Sequence, residues 1–330
     1  MLLQTHVSRV ARVFLAAILS VACGFAAAVT QDDIERLAKQ ANAGSAAAGT
    51  ELERIASGGD PLAQNAMGLL FLSGEAVPRD EALAIEWFSK AAKQGNVESA
   101  HNLAVVYERS RGPARNPRAA VHWYEFAAQH GLARAQANLG YLLAEGIGTA
   151  RDVAQAKMWI ERAAAQNEPR GQYLLARMML QGRGVERDEA GGWRLMDLAA
   201  AAGDIDAQYQ LALAFGNGIG RARDDARAID WLRRSANGGQ AEAQYLLSGM
   251  YAGGSHGLPK DDGEAMRWLR RSAQQGYPQA QYALGVAYLE GHGIAKDSQQ
   301  GARWITLAAQ QGHKGAEALL NRARQPKADR

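Results

Sequence analysis

The chain has 330 residues, 22% of them charged, and a formal net charge of +3. So small an excess of positive charge excludes nucleic-acid binding on bulk electrostatic grounds, because neutralising phosphates needs clustered Lys and Arg. A single cysteine, Cys23, excludes a disulfide framework within the chain.

Residues 1–28 read as a secretory signal. Arg9 and Arg12 precede an apolar run from Val13 to Ala22, and Ala26, Ala27 and Ala28 form a small-residue exit. Cleavage after Ala28 takes the charge to +1 and removes Cys23, and with it every thiol. The expectation is a periplasmic chain with no stable membrane insertion after signal removal. The alternative is an uncleaved signal that anchors it in the membrane, although about 17 apolar residues is marginal for a span. Ser20 stands three places before Cys23 where lipidation wants an aliphatic residue, so lipidation is disfavoured. Residues 29–60 read as an N-terminal helical cap, a degenerate helix pair of the kind that shields the end of an array.

Between residues 61 and 325 the chain repeats, leaving 326–330 as a tail. Trp87, Trp123, Trp159, Trp231, Trp268 and Trp304 mark one slot; Leu195 fills it in the fourth unit, where Trp193 falls two residues early. A second slot holds Met67, Leu103, Leu139, Leu175, Leu211, Leu247, Leu284 and Leu320. Both landmarks step by 36 residues with a single step of 37, which places one inserted residue near Gly253 to Pro259. A constant period of this length implies stacked supersecondary units, not a compact enzyme domain.

Each unit reads as two helices. In the first, a small residue lies four before the Leu slot, as in Ala63, Ser99 and Ala135, and a large one lies four after, as in Phe71, Tyr107 and Leu143. Spacing of four puts all three on one buried face. This helix closes at a glycine, Gly74, Gly146, Gly182, Gly218, Gly254 or Gly291, with Ser110 as the exception. The second helix opens at Asp80, Asn116, Asp152, Asp188, Asp224, Asp261 and Asp297, residues suited to capping free N–H groups. Its indole slot is flanked by small residues, such as Ala84 before Trp87 and the pair Ala91 and Ala92 after it, which predicts a buried knob. The unit ends at Gly95, Gly131, Gly203, Gly239, Gly276 or Gly312, with Asn167 the departure and itself tolerant of a left-handed turn.

This pattern resembles the Sel-one-like repeat family, a relative of the tetratricopeptide repeat. The clearest unit carries Ala280, Tyr282, Leu284, Gly285, Tyr288, Gly291 and Gly293, then Lys296, Asp297, Trp304, Ala308, Ala309 and Gly312. The resemblance spans residues 61 to 325 as seven helix pairs plus a final helix. It implies an all-α fold, a right-handed α-solenoid superhelix of antiparallel helix pairs whose concave face binds other proteins. Cysteine-rich members linked to β-lactam chemistry carry a cysteine pair in each repeat. This chain has none, so that activity does not carry over.

By analogy with the tetratricopeptide groove, the slot two before the Leu looks inward. It holds Asn65, His101, Ala137, Tyr173, Tyr209, Tyr245, Tyr282 and Ala318. Four consecutive tyrosines either form a ladder that grips a peptide or pack between repeats. Asn65, His101, Tyr173, Tyr209, Tyr245 and Tyr282 are therefore the candidate partner-binding residues. The slot five before the Leu runs through Glu98, Arg134, Arg170, Asp206 and Glu242, which suggests a partner of mixed charge or a solvated helix edge. Catalytic signals are weak. The histidines are scattered over different slots, no Gly-x-Ser-x-Gly turn is present, and Gly146–Gly148 lacks the strand and Lys of a phosphate loop. The expected function is an exported, non-enzymatic interaction scaffold for a protein or peptide, with no cofactor and no metal. The alternative is an envelope enzyme or small-molecule binder acting on a peptidoglycan or β-lactam-like ligand.

Overall fold

The computed structural model describes residues 29–110 and 112–324. The expected signal segment, Cys23 and the 326–330 tail lie outside the described residues. Among these residues there are seventeen helices and no strand. Helices α1 (Gln31–Asn42) and α2 (Ala46–Ser57) precede seven pairs. These are α3 (Pro61–Ser73) with α4 (Glu81–Lys93), α5 (Val97–Arg109) with α6 (Pro117–Gln129), and α7 (Ala133–Glu145) with α8 (Val153–Ala165). They continue as α9 (Pro169–Gln181) with α10 (Glu189–Ala201), α11 (Ile205–Asn217) with α12 (Asp225–Asn237), α13 (Ala241–Gly253) with α14 (Asp262–Gln274), and α15 (Pro278–Glu290) with α16 (Ser298–Gln310). A last helix, α17 (Lys314–Arg324), closes the series. The chain forms two compact units, the first ending at Gln166 and the second starting at Asn167.

Within a pair the helices run antiparallel. In the first pair, Gln64 bonds to Gln94, Gly68 faces Phe88, and the Asp80 N–H donates to the Phe71 carbonyl. Gly68 is needed here because a Cβ would overlap the Phe88 ring. The fold is thus the all-α solenoid that the period predicts. Every second helix is capped as its sequence predicts, the side chain of Asp80, Asn116, Asp152, Asp188, Asp224, Asp261 or Asp297 accepting a first-turn N–H. The backbone N–H of each cap donates nine residues back, except that Asp261 donates to Tyr251 across the one-residue insertion. Asn167 takes φ 60°, the left-handed turn that glycine takes in the other units.

The core is partly shifted from the expected register. The small slot and most of the Leu slot are buried as predicted, with Ala63, Ser99, Ala135, Leu103, Leu211 and Leu247 all fully enclosed. The indole slot is not the deepest point. Trp87, Trp159 and Trp268 are buried, but Trp123, Trp231 and Trp304 are half-buried. The residue after the Trp slot is the central one: Phe88, Tyr124, Ile160, Met196, Leu232 and Ile305 are each at most 1% exposed. The indole instead lies at the edge with a cation over its outer face, as Lys90 over Trp87, Arg162 over Trp159, Arg234 over Trp231 and Arg271 over Trp268, at 4.3 to 4.9 Å. One helical turn separates each cation from its ring. Trp193 leaves the slot to pack on the next connector, against Gly220 and under Arg221. A Cβ at Gly220 would overlap the Trp193 indole, and one at Gly148 would overlap the Pro117 backbone, so these connector glycines permit close contact between successive repeats.

A buried glutamine ties the helices together. Gln64, Gln136, Gln208, Gln244 and Gln281 each donate to the carbonyl eight residues earlier, in the last turn of the preceding helix. Four of them also accept from a glutamine that closes the following helix: Gln94, Gln166, Gln275 and Gln311. Each bridge gives a second donor to a carbonyl of the helix end that already accepts from the closing glycine N–H, at Ala56, Ala128, Ala200, Ala236 and Ala273. Ahead of the first pair, Ala48, Leu52 and Ala56 of α2 are buried at the spacing of Ala84, Phe88 and Ala92, so α2 repeats the register of a second helix.

Candidate functional site

In unit one the slot two before the Leu holds short or polar side chains, Asn65, His101 and Ala137. Asn65 accepts from the Ser99 hydroxyl at 2.9 Å and from Asn102 at 3.0 Å, linking α3 to α5. His101 is 7% exposed, its ring 5.5 Å from that of the fully buried Tyr124. The Tyr124 hydroxyl donates to Glu108 at 2.6 Å. Burial, and then the Arg109 charge, hold the His101 imidazole down to about 4. Its Nδ1 is buried with no partner, so protonation there is opposed on both counts.

In unit two the same slot is tyrosine in all four helix pairs and alanine, Ala318, in the last helix. Tyr173 is 6% exposed, with Arg177 over its ring at 5.6 Å. Tyr209, Tyr245 and Tyr282 are half-buried, and each packs against the core that its own repeat shares with the next first helix. Tyr245 meets Tyr277 at 5.5 Å, and Tyr282 stacks on His313 at 4.5 Å. Tyr277 and His313 occupy the turn that starts the next first helix. Tyr245 and Tyr282 thus reach the start of the next first helix, and Tyr209, Tyr245 and Tyr282 keep part of their surface exposed. They do not touch one another as a continuous stack.

Four of the five charges named five before the Leu slot form two ion pairs. Arg134 pairs with Glu98 in unit one, and Arg170 pairs with Asp206 at 2.8 Å in unit two, each across one period. Neither sequence-based reading foresaw this, because pairing depends on the helix-to-helix spacing. Beside the second pair, burial pushes the Asp204 carboxyl up to about 6.

The feature that sequence reasoning missed is an open cavity of about 740 Å³ in repeat 241–277 and the start of the next. Helices α13, α14 and α15 supply Tyr245, Leu246, Met250, Met266, Leu269 and Val286. The connectors supply Ser255, His256, Lys260 and His292. Gly249 lines the cavity and stands two after the Leu slot, where the other repeats place Leu69, Val105, Tyr141, Arg177, Leu213 and Val286. A side chain at that position lies four residues from the tyrosine slot and so on the same helix face. The inserted residue lengthens the adjoining connector, in which His256 adopts φ 55°. The 37-residue step and Gly249 were both visible as departures from the repeat, but which wall they remove depends on packing. Two polar groups at the mouth lie against carboxylates: Lys260 with Asp262 at 3.5 Å and His292 with Glu290 at 3.0 Å. The Ser248 hydroxyl donates to the Tyr245 carbonyl. Among the described residues no cluster of His, Cys, Asp and Glu is suited to a metal, and no helix is long and apolar enough to cross a membrane.

The family model described as Sel1 repeat matches seven successive segments, 61–96, 97–132, 133–168, 169–204, 205–240, 241–277 and 278–313. Among solved structures, a Sel1 repeat protein from Oxalobacter formigenes is similar at 30% identity and a TM-score of 0.57, covering 94% of this chain and 99% of that one. A protective antigen of uropathogenic Escherichia coli with an SLR fold is similar at 27% identity, covering 87% and 81%, with a TM-score of 0.36. A Klebsiella pneumoniae putative Sel1 repeat protein is 26% identical, covering 62% and 99%, with a TM-score of 0.41. A comparison with curated proteins gives no match.

Proposed function

Because the chain belongs to the Sel1 repeat family, whose members are generally protein–protein interaction scaffolds, we propose that it is an exported scaffold. In this reading it holds a protein or peptide segment on the first-helix face of unit two. The observation that carries the proposal is the run of half-exposed tyrosines, Tyr209, Tyr245 and Tyr282, in one slot beside an open cavity. A tyrosine already fixed by packing on one side presents a rigid, amphipathic surface at little entropic cost on binding. Export rests on the composition of residues 1–28, with its two arginines, apolar run and alanine exit. The scaffold acts by docking. Non-enzymatic action is part of the proposal and rests on the general scaffold role of the Sel1 repeat family.

Affinity capture from an envelope extract tests this reading, with the full chain as bait beside a Tyr209→Ser, Tyr245→Ser, Tyr282→Ser variant of verified helicity. A partner retained by the parent and lost by the variant supports the face. Equal retention by both moves binding elsewhere on the molecule. Fractionation of cells expressing the chain checks export: release with the periplasmic fraction is expected, and retention in the cytoplasm removes that part of the proposal.

A further inference from the structure

We propose that Met250 and Met266 form a site of reversible oxidation, at which a hydroperoxide loosens the joint between repeats 241–277 and 278–313. The site is separate from the scaffold role and acts on the chain itself. The methionines of the chain differ in their surroundings. Met178 and Met196 are enclosed, Met67 borders only a small hollow of about 170 Å³, and Met158 is exposed. Met250 of α13 and Met266 of α14 instead line one open cavity of about 740 Å³. A molecule of the size of water or hydrogen peroxide enters a space of that volume freely. The Met266 methyl group extends to the mouth, 3.5 Å from where a Cβ would stand on exposed Gly293. Met250 is half-buried, although Leu70, Val106, Leu142, Met178, Ala214 and Ala287, in the same slot of the other repeats, are buried.

The chemistry is an oxygen transfer. A sulfur lone pair attacks the terminal oxygen of the hydroperoxide, the O–O bond breaks and an S–O bond forms. The sulfur loses two electrons, the peroxide gains them, and water or an alcohol leaves. Beyond Cys23 the sequence has no thiol to compete for the oxidant. The sulfoxides act through packing. Met266 belongs to the core with Leu284 and Ala287 that joins α14 to α15, and Met250 packs on the core that holds Leu247 and Trp268. Oxidation turns a flexible apolar side chain into a polar one. Its oxygen either stays in the core without a donor or turns into the cavity, which withdraws the side chain from Leu284 and Ala287. Both outcomes weaken the joint, and because each repeat leans on its neighbours the last pair and α17 loosen with it.

The full chain is treated with hydrogen peroxide, and oxygen uptake at each methionine is followed by peptide mass spectrometry. Met250 and Met266 should each take up one oxygen while Met178 and Met196 remain thioethers. Hydrogen-exchange protection of α14 and α15 should then fall at least about tenfold. It should return after treatment with methionine sulfoxide reductases specific for each of the two epimers. A Met250→Leu, Met266→Leu variant keeps the volume and apolarity of the lining, and its protection should be the same with and without peroxide. Met158→Leu should respond as the parent does. Four outcomes overturn the proposal: Met250 and Met266 still reduced when Met158 is converted, protection unchanged once both are oxidised, the parent's peroxide response persisting in the double variant, or a loss that the reductases do not reverse. None of these readouts needs a partner, so the scaffold role is untouched by any of them.

Discussion

In unit one the slot two before the Leu holds Asn65, His101 and Ala137; in unit two it holds Tyr173, Tyr209, Tyr245 and Tyr282, followed by Ala318 in the last helix. The two units share their inner slots almost residue for residue, because the approach of one helix to the next fixes the permitted size there. Their outer slots are free of that constraint. Unit one uses the slot for internal hydrogen bonds and a buried imidazole, whereas unit two uses it for half-exposed rings and an opened wall. A repeat array therefore separates what holds it together from what distinguishes one stretch of it from another.

The largest expected effect tests the shared part. Leu139→Ala in unit one and Leu247→Ala in unit two should each cost about 2–5 kcal/mol, since both side chains are enclosed. Hydrogen exchange should show protection falling first in the helices that flank each site, because every repeat leans on its neighbours. A melt like the parent's in either case refutes the common core.

The second prediction sharpens the contrast by pH. The folded His101 titrates at about 4 against an ordinary value of 6.5, so the unfolded chain takes the proton first. Its contribution to stability is complete above about 6.5 and is lost as pH falls toward 4. The folded Asp204 titrates at about 6 against an ordinary 3.8, so the folded chain takes that proton first. Its contribution therefore rises as pH falls from about 6 toward 3.8. Intrinsic-rate-corrected hydrogen exchange between about pH 7 and pH 5 should show this opposition. His101→Gln should abolish the acid loss in unit one, and Asp204→Asn the acid gain in unit two. An unchanged slope in either variant defeats that assignment.

The smallest effects have opposite signs at two glycines. Gly68→Ala should destabilise by about 1–3 kcal/mol, because its Cβ would overlap Phe88. Gly249→Ala should stabilise by up to about 1 kcal/mol, because its Cβ enters open space in a helix interior. Denaturant titration of the two variants measures both, and equal signs would mean that Gly249 is not held open.

Period, helix order and caps were legible in the sequence because they rest on spacing and local hydrogen bonding. The Asp80-type caps, the left-handed Asn167 and the inserted residue all follow from rules that act within a few residues. The register of the core was legible only to within one position. Trp87 and its counterparts announce the helix, but Phe88 and its counterparts fill its centre, since an indole needs more room than the gap between paired helices allows. The glutamine bridges were visible only as Gln64, Gln136, Gln208, Gln244 and Gln281 recurring in one slot, with no spacing rule to name their partners. Among the candidate binding residues, the sequence identified a common face and its change from Asn65 and His101 to four tyrosines. It did not disclose that Tyr245 meets Tyr277, that Tyr282 meets His313, or that Glu98 and Arg170 already have partners one period away. The cavity depends on α13, α14 and α15 at once, with Gly249 removing a side chain and the longer connector carrying His256 to its edge. Local chemistry, written in spacings of three to nine residues, was decided by the sequence alone; contacts across a whole period were decided only when the helices packed, because their distances come from the volumes of side chains far apart in the chain.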